Sequence, residues 1–158
     1  MWITRRGYEN LLKKIDDLEK KKREMLKELG NQADRDSDLP ENPIWKQLQV
    51  ELRFNIPKQI SDLQKIITSA RIIEDELKSQ LDKNDIVHLG SKIKIKINKE
   101  ERIFILVGPY DIDIIKGGIS YLSPLGKALL GAEKNEEKTF ITPSGEKKIV
   151  IISIEKGL

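Results

Sequence analysis

The chain has no cysteine, which excludes disulfides and a thiolate metal site and leaves nothing that calls for an oxidising compartment. Its one histidine, His88, has no serine, cysteine or acid at a spacing that would assemble a nucleophilic triad. A structural or solvent-facing role is its reading. No apolar run is long enough to span a bilayer, and the start Met1-Trp2-Ile3-Thr4-Arg5-Arg6 lacks the apolar region of an export signal. The expectation is a cytoplasmic protein without a membrane partner. A glycine-rich phosphate loop is also missing, since Gly117-Gly118 and Ser144-Gly145 are turn chemistry. Aromatics make up only 5% of the residues, and none is interleaved with the lysines of Ile93-Lys94-Ile95-Lys96-Ile97. That strand is therefore an ordinary amphipathic one rather than a single-strand nucleic-acid platform.

What is abundant is charge. Asp, Glu, Lys and Arg reach 35% while the net charge is only +3, so acids and bases are mixed. A polyanionic partner is permitted but not demanded. The 158 residues suit one ordinary domain or two small ones. Up to about Lys83 the sequence is rich in Lys, Glu, Leu and Ile, and beyond Asp85 it turns β-branched and glycine-punctuated. The pattern predicts an α+β chain: a helical hairpin over 1–78 with an acidic tip at 34–45, and a domain over 79–158 whose first residues, 79–90, read as a linker.

Thr4 is placed to cap a first helix opening at Arg5. Leu11, Ile15, Leu18, Lys22, Met25 and Leu29 follow coiled-coil spacing, with Lys22 as the one polar interruption. Leu12 and Leu26 broaden the stripe. Gly30 either ends this helix or lies inside one that runs on to about Arg35. A second helix starts at Pro43 with Asn42 as its cap, and Asn42, which precedes a proline, should be extended. Leu48, Leu52, Ile56, Ile60, Leu63, Ile67 and Ala70 make the matching seam, with Pro57 expected to kink it. Helices of about 30 residues at 1.5 Å each give a hairpin on the order of 45 Å long.

In the second part, Ile93–Ile97 and Arg102–Val107 read as strands, the latter more fully buried, and Ile112–Ile115 as a third. Ser123-Pro124-Leu125-Gly126-Lys127-Ala128-Leu129-Leu130-Gly131 reads as a short capped helix, and Phe140 to Ile154 as a closing hairpin turning at Thr142-Pro143-Ser144-Gly145. The whole is a small antiparallel sheet with one helix.

Chemistry concentrates at the turn between the long helices, Asp34-Arg35-Asp36-Ser37-Asp38-Leu39-Pro40-Glu41-Asn42-Pro43-Ile44-Trp45. An Asp-rich turn is ordinarily capping and solubility. Here the carboxylates sit furthest from any core, two prolines stiffen them, and Trp45 follows where little core exists to bury it, which points to a partner surface. Carboxylates on a rigid tip suit Mg²⁺, and too few of them to hold the ion alone would complete a partner's site.

Nearly end to end, the chain resembles the Gre family (GreA and GreB) of bacterial transcript-cleavage factors. That family's tip has the form Gly-Asp-Leu-x-Glu-Asn-Ala-x-Tyr; this one reads Ser37-Asp38-Leu39-Pro40-Glu41-Asn42-Pro43-Ile44-Trp45. Thr4-Arg5-Arg6-Gly7-Tyr8, Thr68-Ser69-Ala70-Arg71-Ile72-Ile73, Ile119-Ser120, the Ser123–Gly131 run and Thr142-Pro143-Ser144-Gly145 are similar as well. The resemblance implies an FKBP-like C-terminal domain without isomerase activity. It also implies a monomeric factor that is not an enzyme on its own. Its tip would enter the secondary channel of bacterial RNA polymerase and promote cleavage of the nascent RNA 3′ end in backtracked complexes. By position, Asp38 and Glu41 are the implied catalytic acids, sharing a Mg²⁺ with the polymerase. Asn42 and Trp45 would position the tip on polymerase or RNA, and Leu122, Ser123 and Pro124 correspond to the surface docking on the channel rim. Ser37, Pro43 and Ile44 depart from the family pattern. The alternatives are a channel-binding factor that inhibits without cleavage and a coiled-coil scaffold with no polymerase role.

Overall fold

The computed structural model describes residues 1–33, 42–77, 86–97 and 100–158. In order these form β1 (Trp2–Ile3), α1 (Arg5–Ala33), α2 (Pro43–Val50), α3 (Ile56–Thr68), β2 (Arg71–Ile72), α4 (Ile73–Leu77), β3 (Ser91–Ile97), β4 (Glu100–Val107), β5 (Gly118–Ser120), α5 (Pro124–Leu129), β6 (Glu137–Thr142) and β7 (Gly145–Lys156). The chain is α+β, as its sequence predicts, and divides into two compact units. One is Glu9–Ser69. The other joins Met1–Tyr8 to Ala70–Leu158, so the outermost residues of the 1–78 segment group with the C-terminal part.

In the helical unit, burial follows the predicted seam. Leu11 and Leu29 are buried, Ile15, Leu18, Lys22 and Met25 are half-buried, and the charged residues between them are exposed. On the second helix Leu52 and Ile56 are buried while Leu48, Ile60, Leu63 and Ile67 are half-buried. The stripe is narrower than the sequence reading has it: Leu12 and Leu26 are 46% and 52% exposed, because a two-helix seam covers only a strip of each helix. Gly30 lies inside α1, which runs to Ala33.

Pro57 disturbs the second helix upstream of itself. A π-helical turn, Glu51–Asn55, separates α2 from α3, and the Ile56 amide donates to the Glu51 carbonyl, five residues back. A proline ring crowds the carbonyl four residues before it, here that of Arg53, and supplies no amide. The wider turn accommodates both effects.

In the other unit, β1 pairs in parallel with β2, Trp2 opposite Arg71 and Ile3 opposite Ile72. The Arg71 guanidinium stacks 5.7 Å from the Trp2 ring centre. Thr4 caps α1 as predicted, its Oγ1 accepting from the Gly7 amide at 2.9 Å. Five strands form the main sheet in the order β5-β4-β3-β7-β6. Ile93 and Ile95 of β3, Leu106 of β4, and Ile149 and Ile151 of β7 meet Leu125 and Leu129 of α5 in the core, with Val87 and Ala132. Opposite Lys94 and Ile95 the β7 partners are Ser153 and Ile151, which leaves Ile152 as the extra residue of a bulge. The bulge moves the inward parity of β7 by one, so that Ile154 pairs with buried Ile93.

Four readings are corrected here. Residues 112–115 are not a strand but turns; the third strand is Gly118–Ser120. It runs parallel to β4, so the sheet is not wholly antiparallel. Only the end of β4 is buried, with Ile103 52% exposed. The segment read as a linker also reaches into the fold: Ile86 bridges Glu133, and Val87, fully buried, exchanges backbone hydrogen bonds with Gly131 and Ala132.

Candidate functional site

The second helix begins as its sequence dictates. Asn42 is extended (φ −68°, ψ 123°), as a residue before proline must be, and its Oδ1 accepts from the Ile44 amide at 2.9 Å. Pro43 fills the first turn, where a missing amide costs nothing. Asp38 and Glu41 lie outside the described residues, in the segment that joins Ala33 to Asn42. Asn42's side chain is thus committed to the cap. Ile44 points to solvent, 69% exposed.

Trp45 differs from its expectation. It is half-buried because it stands seven residues before Leu52, on the seam side of the helix. Its Nε1 is covered and has no hydrogen-bond partner among the described residues. The apolar residue left in water at this end is Ile44. Beside Trp45 lies a cleft of about 580 Å³, lined by Lys22, Leu26, Leu29 and Gly30 from α1 and by Gln49, Leu52, Arg53 and Pro57 from the second helix. Residues 22–30 of α1 and 45–57 of the second helix thus face one cleft, as in the hairpin the sequence predicts. Lys21 Nζ, 3.2 Å from Glu51 Oε1, bridges the two helices.

In the C-terminal unit the Leu122–Pro124 loop is shaped by one cap. Ser123 Oγ accepts from the Gly126 amide at 3.0 Å and donates to the Ser120 carbonyl at 2.7 Å. The Leu122 amide donates to Ser120 Oγ at 3.1 Å. Pro124 follows at the first turn, and Gly131 closes α5 with φ 77°. Ser123 is occupied internally; Leu122, 50% exposed, and Pro124, exposed, are the residues this loop presents.

Three carboxyl groups are held below their ordinary value of 4.5. Glu51 is lowered by the hydrogen bond from the Asn55 amide and then by Lys21. Glu101 is lowered by Lys94, 2.7 Å away. Glu136 is lowered by Lys138 and by the backbone amide of Glu133. All three are at the surface, where such pairs are worth little. Among the described residues no group of three or more His, Cys, Asp or Glu is placed to hold a metal ion, and no helix is long and apolar enough to cross a membrane.

Sequence reasoning missed Asp111. Its carboxylate is fully buried and accepts from the Thr4 hydroxyl and amide and from the Gly108 amide. It stands just before Ile112–Ile115, which reads as a strand in sequence, and only the preceding Gly108-Pro109 break marks it. The cleft was missed too, although its signal was visible in Lys22, a cation inside an apolar seam.

The chain matches two family models over almost its whole length. Residues 1–72 match "Transcription elongation factor, N-terminal" and residues 82–156 match "Transcription elongation factor, GreA/GreB, C-term". Transcription elongation factor GreA of Thermotoga maritima is 32% identical over 154 residues, covering 96% of this chain and 95% of that protein. GreA of Syntrophomonas wolfei is 33% identical over 156 residues, covering 98% and 95%. Among solved structures, Gfh1 of Thermus aquaticus is similar with a TM-score of 0.42 and 24% identity, over 98% of this chain and 97% of that one.

Proposed function

Because the chain belongs to the GreA/GreB family of transcription elongation factors, we propose that it acts on RNA polymerase as a transcript-cleavage stimulator. The observation that carries this reading is the meeting of Asp38-x-x-Glu41 with the Asn42 cap. The helix start at Pro43 and the end of α1 at Ala33 bracket these two acids on the connection between antiparallel helices. A hairpin of that form, about 43 Å for the 29 residues of α1 at 1.5 Å each, is long and narrow enough to reach a recessed active centre.

In this reading the hairpin enters the secondary channel when the polymerase has backtracked. Asp38 and Glu41 would be the residues that hold a Mg²⁺ together with the polymerase, and the ion supplies charge neutralisation and an acidified water. The carboxylates orient that water against the extruded RNA. Trp45 packs on the seam of the second helix and so stiffens the segment next to Glu41. Leu122 and Pro124 present the docking surface on the channel rim, with Ser123 holding their loop in shape. The protein carries no complete reaction centre in this scheme and acts through the polymerase.

A second reading is favoured by Pro43 and Ile44, where the family pattern has alanine and a residue that is usually acidic or polar. In that reading the two changes would misplace the acids and leave a channel-binding inhibitor, because small misplacements cost large factors in rate. Purified backtracked complexes with the cognate polymerase separate the two. Mg²⁺-dependent shortening of RNA supports cleavage. Slowed synthesis without shortening, relieved by competition with a cleavage factor, supports inhibition. Failure to bind polymerase at all leaves a scaffold.

A further inference from the structure

Three observations converge on one place in the helical unit. The cleft of about 580 Å³ falls within the range of small-ligand sites. Its floor is apolar, built from Leu26, Leu29, Leu52 and Pro57, and Gly30 leaves open space at its lip, with nothing within 4 Å of where a Cβ would stand. Two cations line it, Lys22 half-buried within the seam and Arg53 on the π-helical turn. Among the described residues neither takes part in a side-chain hydrogen bond or ion pair. Trp45 adds an indole nitrogen with no acceptor among the described residues.

Lys22 is a half-buried cation in an apolar seam with no anion beside it among the described residues, and π-turns recur at functional sites. Two cations beside an apolar floor suit a ligand with a multiply charged anionic end and a flat apolar body. Gln49 offers hydrogen bonds to a heteroaromatic edge, and the Trp45 ring a face or edge to pack against. We propose that this cleft binds a mononucleotide, its base on the apolar floor and its phosphates held by Lys22 and Arg53. A bare inorganic anion would leave the floor wet, and a fatty acid would carry only one charge to two cations. Trp45 already lines the cleft, so a bound base changes the surroundings of its indole.

Trp45 is therefore the reporter. The chain has two tryptophans, so Trp2→Phe leaves Trp45 as the sole source of indole fluorescence. The full chain carrying this change is titrated with ATP, GTP and AMP, with inorganic pyrophosphate as the phosphate-only probe. Calorimetry on the unmodified chain is the parallel measurement. The expected result is saturable quenching with a micromolar midpoint, weakened at least tenfold when Lys22→Met and Arg53→Gln remove the charge-assisted contacts, helicity being unchanged. Absence of saturable binding up to millimolar nucleotide by both methods overturns the proposal. So does equal affinity for pyrophosphate, or undiminished binding by the double variant. No polymerase is present, so the outcome is independent of the cleavage reading.

Discussion

The hydroxyl of Thr4 donates to the buried carboxylate of Asp111 at 2.6 Å, across 107 residues of sequence. The same carboxylate takes the Thr4 amide at 3.0 Å and the Gly108 amide at 3.1 Å, while Thr4 Oγ1 accepts from the amide of Gly7. One side chain therefore fixes the residue that caps α1 and the turn after β4 at once. Removing it orphans three donors. Asp111→Ala is expected to destabilise the C-terminal unit by roughly 3 kcal/mol, at about 1–3 kcal/mol for a buried unpaired group. Thr4→Val should cost about 1–2 kcal/mol. Urea unfolding followed at Trp2 in a Trp45→Phe background checks both, and equal stability of Asp111→Ala and its parent would contradict them.

The glycines separate by what surrounds them. A Cβ at Gly7 would collide with Asp111 Oδ1, and one at Gly108 with the Trp2 carbonyl oxygen. Gly7→Ala and Gly108→Ala should each cost at least about 1–3 kcal/mol through forced backbone shifts. Gly30, helical and unobstructed, behaves oppositely: Gly30→Ala should stabilise α1 by about 0.5–1 kcal/mol. Thermal melts of the three variants give the signs directly.

Glu51 links the hairpin's helices to pH. Its folded pKa lies below the ordinary 4.5 because Asn55 and Lys21 bond its charged form. The stabilisation is therefore complete above 4.5 and is lost as pH falls through the lower folded value. Glu51→Gln should lower helical stability slightly near neutral pH and make no difference well below that value. Melting both proteins across that window, followed by helical circular dichroism, tests this, and a gap between them that widens on acidification would refute it.

Ser123 and Leu122 are adjacent but should fail differently. Ser123→Ala removes the α5 cap and should cost about 1 kcal/mol of stability. Leu122→Ala, at a half-exposed position, should leave stability within about 0.5 kcal/mol and weaken polymerase binding. A folding defect in Leu122→Ala with intact binding would reverse those roles.

Local chemistry made most of the fold legible. The 4-3-4-3 spacing from Leu11 to Leu29 is the buried strip of α1, and Thr4, Asn42 and Ser123 cap the helices their sequences announce. What escaped depends on contacts distant in sequence. Ile112–Ile115 has strand composition, yet Asp111 draws that segment into turns: the Ile114 and Ile115 amides donate to the Asp111 carbonyl. Gly118–Ser120 became a strand only by lying parallel to β4, a pairing no local pattern encodes. Trp45 seemed to lack a core because its burial comes from across the hairpin. The acids at 38 and 41 are singled out by the family resemblance, and they lie outside the described residues.

Those two acids decide the central claim. RNA shortening in a backtracked complex is measured with wild type, Asp38→Asn and Glu41→Gln, each checked for equal polymerase binding. Loss of at least a hundredfold in cleavage rate in both variants, with binding retained, is the predicted result, in line with what removal of a group acting in the transition state costs. Cleavage at the wild-type rate in either variant would contradict it.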